Sequence, residues 1–341
     1  TGVQTCALPI YAYRYLTVVM LGNAFLGTAV LGGQLVRAEG AARVAMVGMI
    51  IGAGSNIALD PVMLFVFDLG VQGAALATVL AQCLASLCLL FYLTGSRTAL
   101  PLSERRVRLQ PAHLPEMLSV GASSIVRIGG DTVLIIAVNQ SIQAYAGGMA
   151  VTYLAIAGLF MRTVRFISMP LIGVLQGLRV MVGYNYGAGN FRRVRRSILW
   201  AAAVNTAIST AGFLLIVLAP RTVLSIFSNE PAILERGPAI FRTVVLLMPL
   251  LGLQILGAGL FQAVGRAWPA MLLSLARRVA FVVPLVLFLP RFFGLRGIWY
   301  AFPVAEAASA LLTIICVWSF LGKLAHWHEN GAPDHFEPVR E

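Results

Sequence analysis

Apolar runs of about twenty residues, parted by short clusters of arginine, make up most of this chain. A helix needs about 20 mostly apolar residues to cross the hydrocarbon of a bilayer. Runs of that kind lie near 15–36, 44–67, 71–93, 114–142, 149–186, 197–219, 238–263, 267–289 and 298–322. They predict nine membrane helices, the fifth long enough to tilt or to project from the bilayer. Of the 341 residues, 59% are hydrophobic and only 11% charged. A soluble domain carries about 25% charged residues, and a chain this poor in them cannot clothe a water-facing surface. A soluble enzyme, a disordered tail and a disulfide scaffold are excluded. The net charge of +12 sits in short clusters between uncharged stretches, so no nucleic-acid partner is expected. The lipid bilayer is the expected partner, and the chain is read as a monomer.

Residues 1–10 (TGVQTCALPI) match a sequencing-library adapter translated in frame and are set aside from fold reasoning. Cys83, Cys88 and Cys316 lie in apolar runs, where a free thiol behaves as a small hydrophobe. Basic residues sort the connections. Arg37, Arg43, Arg97, Arg105, Arg106, Arg108, Arg192, Arg193, Arg195, Arg196, Arg266 and Lys323 fall on one side. Arg14, Arg221, Arg236, Arg291 and Arg296 fall on the other. The excess places the 95–113 connection and the tail 323–341 in the cytoplasm of a bacterial-type inner membrane. The tail reads as polar and loosely ordered.

The chain also repeats itself. At a shift of 225 residues, Gly27, Gly32 and Gly40 meet Gly252, Gly257 and Gly265. One gap later, at 224, Gly70 and Gly73 meet Gly294 and Gly297, and Gln82 meets Glu306. An even number of helices separates the copies, so both enter the bilayer from one face, a parallel duplication known among transporters. The second copy, 114–322, has six helices; the first, 11–94, has three. The fold class expected is an all-α integral membrane protein of two parallel-repeat bundles. The natural protein is expected to have twelve helices, of which these are the fourth to twelfth, and the shortened chain to be poorly active.

From Tyr11 to Gly322 the residues resemble the multidrug and toxic compound extrusion (MATE) transporters. The resemblance is carried by Asn56-Ile57-Ala58-Leu59-Asp60-Pro61, by Gly70 to Thr78, by Met169 to Gly177 and by Gly183 to Ala188. It implies two six-helix bundles about a central cleft, alternating between outward-open and inward-open forms. It further implies export of cationic or amphipathic small organic molecules in exchange for H⁺ or Na⁺, without a cofactor. In relatives with this pattern the Asn, Asp and Thr surround the coupling cation, together with an Asp from the first helix.

An ionisable group inside a membrane span is expensive and is a functional candidate by default. Asp60 is the first. Asn56 stands four residues earlier on the same helix face. Thr78 can add a hydroxyl from the next span, and carboxylate, amide and hydroxyl oxygens suit a hard cation such as Na⁺. Burial raises a carboxyl pKa, which suits a proton carrier. The competing reading is that Asp60 braces the kink before Pro61. Asp131 and Glu306 are further candidates for substrate or proton coupling. Asp131 could pair with Arg127 one turn earlier, and Glu306 with Arg277 or Arg278. Arg162, Arg165 and Arg179 share the fifth span, either as cleft charges or as partners of Asp131 or Glu306. Asn139, Gln140 and Gln176 fit a cleft or interhelical hydrogen bonds equally well. Gly173-xxx-Gly177 and Gly183-xxx-Gly187 read as tight helix packing. His326-x-His328 has no third metal ligand in sight.

An enzyme is not expected: there is no G-x-S-x-G, no H-E-x-x-H and no phosphate loop. The nearer alternative is a lipid-linked oligosaccharide or lipid flippase of the same superfamily. Arg162, Arg165 and Arg179 favour it; Asn56, Asp60 and Thr78 oppose it.

Overall fold

A computed structural model describes residues 2–95, 98 and 114–330, and every element among them is helical. The chain forms two compact units, 1–109 and 110–341. Most of the 95–113 connection and the tail beyond 330 lie outside the described residues.

The first unit holds α1 (Gly2–Ala38), α2 (Ala42–Pro61) with a π-helical turn at Val62–Val66, and α3 (Gly70–Thr94). Small residues let α3 pack on both others. A Cβ on Gly48 of α2 would stand 3.0 Å from Leu89 of α3, and one on Gly32 of α1 would stand 3.2 Å from the same side chain. The facing stripe of α3 is Ala77, Ala81, Ala85 and Leu89, all buried. These short side chains suit a membrane bundle, where helices associate by close van der Waals fit rather than by hiding apolar surface from water.

The second unit runs α4 (Leu114–Tyr145), α5 (Ala150–Gly187), α6 (Phe191–Leu218), α7 (Pro220–Ser225) and α8 (Pro231–Val244). It continues through α9 (Leu251–Ala263), α10 (Ala267–Leu275), a π-helical stretch Ala276–Val282, α11 (Val283–Phe288), α12 (Pro290–Phe293) and α13 (Leu295–Asn330). Its two aromatic centres lie around Phe160, Phe241 and Phe302, and around Phe191, Phe261 and Phe320.

Three details differ from expectation. Among the described residues seven helices are long and apolar enough to cross a bilayer, or eight if one bent pair is a single span. That pair is Pro231–Val244 and Met248–Ala263, bent by 54° where one continuous span was expected. Pro249 stands at the break, and α6 supplies the hydrogen bonds a broken helix needs. Ser209 Oγ donates to the Pro249 carbonyl (2.8 Å), and Asn205 Nδ2 donates to the Gly252 carbonyl (3.3 Å). The 32-residue α4 lies along the fourth expected span, and many of its side chains fall outside the described residues. Second, the tail is not loosely ordered from residue 323: α13 continues unbroken to Asn330. Third, a Cβ on Gly173 or Gly177 would meet nothing within 4 Å, so the expected tight packing is not made there. It is made at Gly252, where a Cβ would stand 2.5 Å from the Asn205 carbonyl oxygen.

The repeat is visible in the backbone. Gly40 and Gly265 turn with φ of +84° and +72°, and Gly70 and Gly294 with +55° and +57°. Only glycine adopts these left-handed values without strain. One turn on, a Cβ on Gly73 would stand 2.7 Å from the Met63 carbonyl oxygen, and one on Gly297 2.6 Å from that of Leu289. Both copies thus press a glycine of the following helix onto the backbone of the preceding one.

Candidate cation site

Asn56 and Asp60 occupy one face of α2, a turn apart, as their spacing requires. Pro61 has no N–H to give, and the helix widens into its π-helical turn directly after it. Gly73 then seats the start of α3 on that turn, which sets the register bringing Thr78 opposite Asn56. The amide Nδ2 of Asn56 donates both to Asp60 Oδ1 (3.4 Å) and to Thr78 Oγ1 (3.5 Å). Thr78 sends its own hydroxyl proton to the Ala74 carbonyl (2.9 Å), which leaves its lone pairs facing the cluster. All three side chains are half-buried. Both amide contacts are long for N–H···O hydrogen bonds, so the grouping is loosely held.

A further polar residue of α3 is not among the site candidates that the sequence offers. Gln82 lies one turn beyond Thr78, and its carbonyl oxygen is buried with no hydrogen-bond partner among the described residues. Its signal was present: it is the residue that the repeat aligns with Glu306.

In the second unit Asp131 forms an ion pair with Arg278, in the π-helical stretch between α10 and α11. Arg127, the partner expected from spacing alone, has a side chain outside the described residues, as does Arg277. Gly130 makes the Asp131–Arg278 approach possible, since a Cβ there would stand 2.9 Å from Val279. Both charged side chains keep about a third of their surface exposed (30% and 36%), so the pair is partly screened. A double-mutant cycle with Asp131→Asn and Arg278→Gln is expected to show a coupling of about 1 kcal/mol in thermal unfolding. Additive single effects would show that the pair contributes nothing.

Glu306 accepts a hydrogen bond from Gln254 Nε2 (2.7 Å), and Ser309 Oγ donates to Gln254 Oε1 (3.3 Å). Gln254 is buried and ties α9 to α13 through Glu306. Arg179 donates to Gln262 Oε1 (2.5 Å) and to Gln176 Oε1 (3.5 Å). Arg162, Arg165 and Asn139 are exposed on the second unit, and the two arginines have no acidic partner among the described residues. The bracing of Arg162 and Arg165 on Asp131 or Glu306 is therefore not seen. His326 lies on α13, while the His328 side chain lies outside the described residues. Among the described residues no three His, Cys, Asp or Glu side chains gather as a metal-binding group.

The MatE family model matches residues 128–288. The multidrug export protein MepA of Staphylococcus haemolyticus (strain JCSC1435) is 25% identical over 314 residues, covering 92% of this chain and 68% of its own length. That of Staphylococcus aureus (strain NCTC 8325 / PS 47) is 26% identical over 315 residues, covering 91% and 68%. The solved MATE multidrug transporter DinF-BH superposes with a TM-score of 0.82 at 34% identity, over 91% of this chain and 69% of its own. All three are named as multidrug transporters, which does not favour the flippase alternative. With glycine turns repeated in both units, polar clusters inside apolar helices, and these relatives over nine-tenths of its length, the chain belongs to the MATE family of membrane transporters.

Proposed function

We propose that the protein is a secondary antiporter that exports cationic or amphipathic organic compounds in exchange for H⁺ or Na⁺ by alternating access. The observation that carries this reading is the Asn56 amide shared between Asp60 and Thr78 inside two apolar helices. In this arrangement the amide N–H satisfies the carboxylate. A half-turn of that amide offers its oxygen instead, so that carboxylate, amide and hydroxyl oxygens can surround Na⁺. Protonation of Asp60 neutralises the same carboxylate and lets it donate a hydrogen bond, so one cluster serves either ion. The buried Gln82 oxygen, one turn along the same face of α3, offers a third neutral acceptor. In the second unit, Glu306 held by Gln254 is the carboxyl best placed to meet a substrate's positive charge or to carry a proton. Asp131 is already neutralised by Arg278, which favours a bracing role for it.

The test is flux through proteoliposomes holding the full natural chain. An imposed inward H⁺ or Na⁺ gradient is expected to drive a cationic dye outward against its own gradient, and one of the two ions to suffice. Dye movement indifferent to both gradients would overturn the antiport reading.

A further inference from the structure

The cytoplasmic end of the second unit carries Arg192, Arg193, Arg195, Arg196, Arg266 and Lys323, drawn from the start of α6, the α9–α10 turn and the end of α13. Ring contacts bring these three places together. The rings of Phe191 and Trp327 are 5.6 Å apart, those of Phe261 and Phe320 are 5.5 Å apart, and the Arg266 guanidinium lies 5.7 Å over Phe320. The four α6 arginines and Lys323 are exposed. No acidic residue lies in the first turn of α6, so these cations stand against the positive end of that helix's dipole. Their position is unfavourable locally and favours an anion beside them.

A second observation fixes the kind of charge. Trp200, Trp268 and Trp318 are 64%, 68% and 78% exposed, on α6, α10 and α13. Each lies within five residues of one of these cations in sequence. Outward-facing tryptophans gather at the headgroup level of a bilayer, where an apolar ring with one polar N–H is best solvated. Cations beside them therefore stand at the depth of lipid phosphates, which guanidinium groups bind through paired hydrogen bonds.

We propose that this rim binds the headgroups of anionic phospholipids in the cytoplasmic leaflet and clamps α6, α9 and α13 at one membrane depth. The test uses the full natural chain in nanodiscs of phosphatidylcholine alone or mixed with phosphatidylglycerol. Phosphatidylglycerol is expected to raise the thermal unfolding temperature of the unaltered protein and to remain bound in native mass spectrometry. Replacing Arg192, Arg193, Arg195 and Arg196 together with Gln is expected to weaken that retention by up to about a thousandfold. Replacing the same four with Lys is expected to keep most of it. The pair Arg266→Gln and Lys323→Gln, which leaves α6 untouched, is expected to give a smaller loss in the same direction. Equal retention by the unaltered and Gln proteins would overturn the proposal. So would full stabilisation by inorganic phosphate in phosphatidylcholine discs, which would show a free-anion site instead.

Discussion

Asp60→Asn, made in the full natural chain, is expected to reduce gradient-driven export to the rate of passive leak while the protein still folds. The substitution keeps the size of the side chain and its hydrogen bond to Asn56, so packing of α2 on α3 is preserved. It removes the one formal charge in the cluster. A unit charge about 4 Å from a cation at an effective dielectric of about 20 is worth about 4 kcal/mol, or about a thousandfold in ion affinity. The measurement is dye efflux under an imposed gradient, beside thermal unfolding of the same preparation. If Asp60 only braced the kink before Pro61, Asn would cap as well, and transport would survive. Thr78→Val is the milder companion, since it removes one neutral oxygen and leaves the carboxylate. Its expected effect is a weaker ion dependence rather than loss of export.

The second large effect is structural. Gly252→Ala is expected to lower stability by about 1–3 kcal/mol through overpacking. Its new Cβ would stand 2.5 Å from the Asn205 carbonyl oxygen, and backbone cannot rotate out of the way as a flexible side chain can. Asn205 is itself fully buried and bonds the Gly252 carbonyl, so the collision also strains the contact that steadies the bent α8–α9 pair. Gly173→Ala is expected to do the reverse. Nothing lies within 4 Å of its Cβ position, and alanine in a helix interior is favoured over glycine by up to about 1 kcal/mol. Thermal unfolding of the two variants in one detergent gives the comparison. If Gly173→Ala proves the more damaging, the close fit of α9 on α6 and the open space beside Gly173 are both wrong.

That contrast shows where sequence reading stops. Gly173-xxx-Gly177 has the spacing of a packing motif, yet both glycines face open space in the second unit. Gly252 has no such motif around it and carries the contact. Spacing says which residues share a face of a helix; it does not say what that face meets. The ion pairs follow the same rule. Arg127 is the local partner that spacing offers Asp131, whereas the pair seen is with Arg278, nearly 150 residues further along. Glu306 accepts a hydrogen bond from Gln254, fifty-two residues away on another helix, which no local spacing points to.

The chain by itself determined its solvent, its helical class, the repeat and the Asn56–Asp60 pair. Each of these rests on composition or on the period of a single helix, which is set by backbone geometry and needs no neighbour. The repeat glycines Gly40, Gly70, Gly265 and Gly294 belong here as aligned positions, while their left-handed turns were seen only in the fold. Only the tertiary structure decided that Thr78 faces Asn56, that Gln82 adds an unpartnered oxygen, and that α8 and α9 break by 54°. Those outcomes depend on how helices rotate and slide against one another. In lipid that choice is made by close fit of small side chains drawn from distant parts of the chain, which no local pattern encodes.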